Sequence, residues 1–261
     1  MTNQKHVAFI TGSTSGIGLG IARSLAKTGC SIVLNGFGND REIEELRLAI
    51  AKEFNVKVIF VPADVTSYQS LEGAFKKTIE QLGSLDILIN NAGIQHVAPV
   101  EEFPLEKWDQ IISTNLNGVF YGIRAILPEM KKKNFGRIVN IASVHGVVAS
   151  ANKSAYVAAK HGVIGLTKVT ALENAKNNIT CNAICPAWVL TPLVQKQIDA
   201  KAHSNNMSPE AAKDALLSEK QPNCRFATAE EIGDMVVYLT SESARGITGS
   251  AFTIDGGWTA Q

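Results

Sequence analysis

The chain reads as an α/β protein of the Rossmann type: a doubly wound, mostly seven-stranded parallel sheet with helices on both faces and a helical lid insertion. Three observations predict it. Short β-branched runs alternate with amphipathic helical stretches nearly throughout, the alternation that builds a parallel sheet with right-handed crossovers. The apolar runs lack period-two alternation, as expected of strands covered on both faces. A glycine-rich turn follows the first run and opens the first helix, where folds of this kind receive a ligand.

Taken in order, Val7-Ala8-Phe9-Ile10 leads a first strand over 7–11, followed by a helix over 17–28. The second strand covers 31–34 and the second helix 40–54; the third pair covers 57–61 and 67–82. A fourth strand over 85–89 precedes one long helix over 105–132. The fifth strand, 136–142, leads to a helix over 154–176, and the sixth covers 179–184. There the rhythm breaks. From Thr191-Pro192 to Pro222 the chain is polar and helix-prone, punctuated by Asn205-Asn206 and Ser208-Pro209. Such an insertion between a strand and the next regular helix is usually functional, and we read 190–222 as a mobile pair of helices over the site. A helix over 229–240 and a seventh strand over 251–254 complete the pattern. Without repeats, low-complexity segments or a Pro/Gly-rich linker, residues 1–261 read as one domain, a size that α/β folds reach as a single unit.

Composition excludes several function classes. An apolar share of 45% suits a sizeable core, and a net charge of +1 offers nothing to nucleic acid or an anionic membrane surface. The start, Met1 to Lys5, is short and polar, with no signal-peptide apolar region, and no apolar run is long enough to span a bilayer. Cys30, Cys181, Cys185 and Cys224 show no Cys-x-x-Cys spacing and no nearby histidine cluster. They read as reduced, mostly buried small hydrophobes of a cytoplasmic protein, with neither metal nor disulfide roles expected.

The chemistry lies between Ser143 and Lys160. Tyr156 and Lys160 are four residues apart, on one face of a helix. A phenol with an ordinary pKa near ~10 is a poor base at neutral pH; an ammonium beside it favours the phenolate. Ser143 upstream suits the oxygen of a reacting alcohol or ketone. Together they point to proton transfer at a hydroxyl-bearing carbon. The turn Thr11-Gly12-Ser13-Thr14-Ser15-Gly16-Ile17-Gly18 lets backbone N–H groups approach a pyrophosphate at a helix N-terminus. At the end of the second strand, Asn35-Gly36-Phe37-Gly38 holds neither an acid nor a base. Nothing there compensates a 2′-phosphate, so NAD is expected rather than NADP.

The glycine spacing, joined to Asn90-Asn91-Ala92-Gly93, Asn115, Ser143, Tyr156-x-x-x-Lys160 and Asp255-Gly256-Gly257, resembles the short-chain dehydrogenase/reductases over essentially the whole chain. That resemblance implies hydride transfer with NAD(P) on a Rossmann fold, usually in a homotetramer. It implies Tyr156 as acid/base, Ser143 as partner of the substrate oxygen, Lys160 as the group lowering the tyrosine pKa and holding the nicotinamide ribose, and Asn115 as holder of a water that passes protons onward. It also implies cofactor contacts from Gly12, Thr14, Ser15, Gly16, Ile17 and Gly18, from Phe37, Asp64 and Val65, and from Asn91, Ala92 and Gly93. Tyr156, Lys160, Pro186, Trp188, Val189 and Thr191 complete that set.

Lys153 sits three residues before Tyr156, and a cation at a helix start opposes the macrodipole unless an anion meets it. With Gln95, His145 and Gln197 it offers one ammonium, one imidazole and two amides around a carbinol, which suits a small carboxylate. Each alone has a plainer reading, as a solvated or loop residue. Within the family, Asn91-Ala92-Gly93-Ile94-Gln95-His96, Ala142-Ser143-x-His145-Gly146, Ala151-Asn152-Lys153-Ser154-Ala155-Tyr156 and Asp255-Gly256-Gly257-Trp258 are similar to bacterial members that oxidise 3-hydroxybutyrate. The similarity implies reversible oxidation of (R)-3-hydroxybutyrate to acetoacetate, with Gln95, His145, Lys153 and Gln197 on the carboxylate. Trp188, Leu193 and Trp258 would shape the methyl end, core or interface packing being the other reading of the tryptophans. Ala187 stands in Cys185-Pro186-Ala187-Trp188 where that pattern has glycine; alanine fits poorly if the position needs positive φ. The rivals are a reductase of a neutral ketone (3-ketoacyl, sugar or steroid-like) and an NAD(H)-sensing regulator without turnover.

Overall fold

A computed structural model describes residues 6–260, the side chain of Leu193 excepted. In chain order the elements are β1 (Val7–Ile10), α1 (Gly16–Lys27), β2 (Ser31–Leu34), α2 (Asp40–Phe54), β3 (Val58–Phe60), α3 (Tyr68–Leu82) and β4 (Ile87–Asn90). Then follow α4 (Leu105–Ile112), α5 (Gly118–Lys133), β5 (Gly136–Ile141), α6 (Ser154–Asn174), β6 (Ile179–Pro186), α7 (Pro192–Ser204), α8 (Pro209–Ser218), α9 (Ala229–Thr240) and β7 (Ala251–Ile254). Polar caps stop the chain where the pattern predicts. Asn39 and Ser67 accept from the first-turn N–H groups of α2 and α3, and Thr228 with Glu231 closes a capping box on α9.

The seven strands form one sheet in the order β3-β2-β1-β4-β5-β6-β7, every pairing parallel. Burying both faces stabilises it. Phe9, Leu88, Val119, Ile123 and Val163 pack on one side; Ile10, Ile21, Leu25, Ile89 and Ile232 pack on the other. Because every strand runs the same way, the loops after β1, β2, β4, β5 and β6 collect along one rim. The order reverses between β1 and β4, which opens a crevice there.

Three expectations need correction. The long helix over 105–132 is not continuous: Ser113–Asn117 forms a π-helical turn between α4 and α5. Apolar spacing does not reveal such a widened turn, since its residues are all polar but Leu116. β7 is not covered on both faces, for it is the edge strand and Ala251 and Thr253 are exposed. Cys224 is exposed, whereas Cys30, Cys181 and Cys185 are buried as expected. The segment 190–222 does contain two helices, α7 and α8. They enclose a small core of their own, in which Val194, Ile198, Ala212 and Leu217 pack with Trp188 and Trp258. Among the described residues, no helix is long and apolar enough to cross a membrane.

At the opposite rim, charge is buried for stability. Asp86 accepts from the Val7 N–H at 2.9 Å and from Ser84 Oγ at 2.9 Å, and it pairs with Lys133. Burial raises its carboxyl pKa, but the nearby His6 ring, 3.8 Å away, and the bonds from Lys133, Val7 and Ser84 together outweigh burial and hold it far below the usual range. Arg137, fully buried, lies 4.4 Å from the Phe135 ring centre and reaches Glu242 at 3.1 Å.

Candidate active site

The loop between β1 and α1 is held by its neighbours. Asn91, just past β4, donates from Nδ2 to the carbonyls of Thr11 and Gly12 at 2.9 and 3.0 Å, and its N–H meets Thr11 Oγ1 at 2.9 Å. Gly12 and Gly16 adopt positive φ of 64° and 55°, a conformation only glycine takes cheaply. A Cβ on Gly18 would stand 2.4 Å from the Gly12 carbonyl oxygen, so the turn packs directly on α1. The first turn of α1 has no side-chain cap and no acid, leaving orphan N–H groups and the positive end of the dipole for an anion. A pyrophosphate fits these residues.

A cleft of about 390 Å³ opens there and runs across the rim. Its cofactor end is lined by Gly12, Thr14, Ser15, Gly16, Ile17, Phe37 and Val65, then by Asn91, Ala92 and Gly93. Ser143, Tyr156, Lys160, Pro186, Ala187, Trp188 and Val189 line it further on, while Thr191 lines it beside Gly16, where a Cβ on that glycine would stand 3.4 Å from Thr191 Cγ2. Thr14 Oγ1 donates to the Phe37 carbonyl at 2.9 Å and thereby shapes the loop after β2, a partnership no sequence motif announces. Phe37 itself is 86% exposed at the mouth. Gly18 and Asp64 lie outside the lining. Gly18 serves the turn, and Asp64 accepts from the N–H and Oγ1 of Thr66 at 2.8 and 2.7 Å.

Tyr156 and Lys160 stand on the first turns of α6, and Ser143 follows β5. Lys160 is buried; its Nζ donates to the Ile141 carbonyl at 2.7 Å and lies 5.6 Å from the Tyr156 ring centre. Burial lowers the Lys160 pKa to about 8. It also raises that of Tyr156, with the bond to Ser143 pulling the other way. The expectation that the lysine lowers the phenol is therefore not met within the chain alone: the ammonium is aimed at a carbonyl, and desolvation of the phenolate dominates. Asn115 lies in the π-helical turn, fully buried, behind the lining rather than in it. Its Oδ1 accepts from the Ile94 N–H and its Nδ2 donates to the Ile94 carbonyl, both at 2.9 Å.

Gln95, His145, Lys153, Gln197 and Trp258 line the same cleft beside Tyr156. Leu193 falls outside the described side chains. Lys153 caps the start of α6 and is buried, its Nζ 4.9 Å from the Trp188 ring centre. Burial lowers its pKa to about 8, Glu219 offsetting part of the shift. Among the described residues it has no carboxylate within salt-bridge reach. Gln95 Nε2 and Trp188 Nε1 are likewise buried without a hydrogen-bond partner. Orphan donors of this kind beside an unpaired ammonium mark a site built for an acceptor-rich ligand. Trp188 and Trp258, 6.0 Å apart between ring centres, are both cleft walls and members of the α7–α8 core, so the two readings of the tryptophans hold together. Ala187 is not in the left-handed region, so alanine brings no strain there; its N–H donates to the Ile254 carbonyl at 3.0 Å.

A family model described as enoyl-(acyl carrier protein) reductase matches residues 12–259. The chain is 52% identical to a D-beta-hydroxybutyrate dehydrogenase of Cupriavidus necator over the full length of both. It is 49% identical to one of Rhizobium meliloti, covering 97% of this chain and 98% of that one. Among solved structures, an actinorhodin polyketide ketoreductase with NADPH superposes with a TM-score of 0.93 at 34% identity, covering 100% and 99% of the two chains. A levodione reductase superposes with a TM-score of 0.91 at 33% identity, covering 98% of each.

Proposed function

Since the chain belongs to the short-chain dehydrogenase/reductase family, we propose that it catalyses the NAD-dependent, reversible oxidation of (R)-3-hydroxybutyrate to acetoacetate. The observation that carries this reading is the buried, unpaired Lys153 ammonium, with the orphan Gln95 Nε2, in the cleft that holds Tyr156 and Ser143. A carboxylate satisfies these donors; a neutral ketone leaves them unpaired, at a cost of about 1–3 kcal/mol each. The two relatives named for D-beta-hydroxybutyrate support the same substrate.

In oxidation the Tyr156 phenolate takes the hydroxyl proton while Ser143 bonds the same oxygen, and bound NAD supplies the hydride acceptor for the carbinol carbon. Gln95, Lys153 and Gln197 hold the carboxylate, with the His145 ring among them. Trp188 and Trp258 close around the methyl end. Lys160 holds the nicotinamide ribose, and Asn115 leads the proton out through a water. Closure of α7 and α8 completes the carboxylate site. NAD is preferred because the loop at Phe37 offers no cation to a 2′-phosphate. We place the enzyme in the cytoplasm as a homotetramer. Val169 and Leu172, 51% and 78% exposed on α6, and the open edge of β7 suit further copies of the chain.

The deciding experiment is NADH absorbance across a panel of 3-hydroxy acids and neutral alcohols, each enantiomer separately, with NAD and with NADP. Turnover of (R)-3-hydroxybutyrate with NAD is expected. Equal use of neutral alcohols would overturn the substrate, and equal efficiency with NADP would overturn the cofactor.

A further inference from the structure

Ser143 has one hydroxyl proton and two lone pairs, and the direction of that proton decides whether it can donate to a substrate oxygen. The His145 backbone N–H reaches Ser143 Oγ at 3.2 Å, and His145 Nδ1 stands 3.4 Å from it. The opposite ring nitrogen, Nε2, meets Ser150 Oγ at 2.9 Å. His145 is buried, with the Trp258 ring centre 5.5 Å from its own and that of Tyr156 6.0 Å away. Burial first, then the charges of Lys153 and His161, lower its pKa to about 3, so the imidazole is neutral and only one ring nitrogen holds a proton.

Two arrangements satisfy these contacts. If Nε2 holds the proton, it donates to Ser150, and Nδ1 can only accept the proton of Ser143. The serine then has nothing to donate to the cleft. If Nδ1 holds the proton, it donates to Ser143 Oγ, and Nε2 accepts from Ser150. The backbone N–H and Nδ1–H then occupy both lone pairs of Ser143 and leave its proton free for the cleft. Ser150 tips the balance. Among the described residues its hydroxyl meets no other hydrogen-bond partner, so its proton has Nε2 as its protein acceptor.

We propose that Ser150, acting through His145, is a positioning residue that holds the imidazole in the Nδ1–H tautomer and aims the Ser143 proton at the reacting oxygen. His145 thus serves the carbinol end of the substrate as well as lining its carboxylate end. The inference rests on the roles given above to Ser143 and Tyr156, but its first readout needs no substrate.

The test is ¹⁵N NMR of the full-length, ring-labelled enzyme, followed by kinetics. The Nδ1–H tautomer of His145 is expected in the wild type. Ser150→Ala should lose that preference and about tenfold in kcat, the scale of one hydrogen bond, with KM for 3-hydroxybutyrate nearly unchanged. Ser150→Thr, which keeps the hydroxyl, should restore both. An Nε2–H tautomer in the wild type, or a kcat unaffected by Ser150→Ala, would overturn the proposal. Failure of 3-hydroxybutyrate to react would show in the substrate panel and leave the tautomer result standing.

Discussion

Lys153 enters the cleft beside Tyr156 with an ammonium that burial has weakened, its pKa brought down to about 8. Only the charged form attracts a carboxylate, so anion binding is full below that pH and fades above it. KM for 3-hydroxybutyrate should stay flat near neutrality and climb toward about tenfold per pH unit above about pH 9, measured as KM against pH. Lys153→Ala should raise KM roughly 10- to 150-fold, the span of a hydrogen bond to a charged group, and abolish the climb. A variant that keeps the climb would assign it to another group, with Lys160 the first candidate because its pKa is also about 8. His145, neutral throughout this range, does not contribute. Lys153 was legible in the sequence because a cation at a helix start runs against the dipole. Ser150 was not. A serine in a loop is unremarkable until folding sets it 2.9 Å from an imidazole five residues away.

Between elements, the glycine turn and α1 meet without room for a side chain. Gly18→Ala places its Cβ 2.4 Å from the Gly12 oxygen and 2.5 Å from Asn91 Nδ2, so the turn must shift off the helix. The expected outcome is NAD binding weakened by about tenfold or more, read by titration of the fluorescence of bound NADH, with the helical circular dichroism retained. Unchanged affinity would show that the turn tolerates the shift. Most element positions were legible because parallel strands read as unbroken apolar runs and helices as one-sided stripes. The π-helical turn at Ser113–Asn117 was hidden for a physical reason: its residues are polar except Leu116, so apolar spacing has nothing to record there. The exposed alternation of β7 follows from its place at the sheet edge, and short apolar runs do not record strand order.

Across the whole molecule, the two rims of the sheet divide the work. One gathers the cleft; the other buries Asp86 and Arg137. The folded-state pKa of Asp86 is depressed, so its contribution to stability is present above the unfolded value, near ~4, and is lost as pH falls toward the folded one. Asp86→Asn should cost on the order of 2 kcal/mol at neutral pH, as expected for a charged group losing buried bonds. The deficit in unfolding free energy should shrink as pH falls below about 4, where the unfolded wild-type chain takes up a proton that the folded one refuses. A deficit independent of pH would place the loss in packing instead. Sequence alone held no sign of this cluster, whose members come from three separate stretches of chain and meet only once the sheet has formed.

The chain has three tryptophans, and two of them, Trp188 and Trp258, belong at once to the cleft wall and to the core shared by α7 and α8. The third, Trp108, is 38% exposed and stands apart on α4. Any displacement of the helix pair must therefore disturb the packing of the two buried indoles while leaving the third as it was. The protein carries its own optical gauge of that displacement, built into the cleft wall and needing no added label.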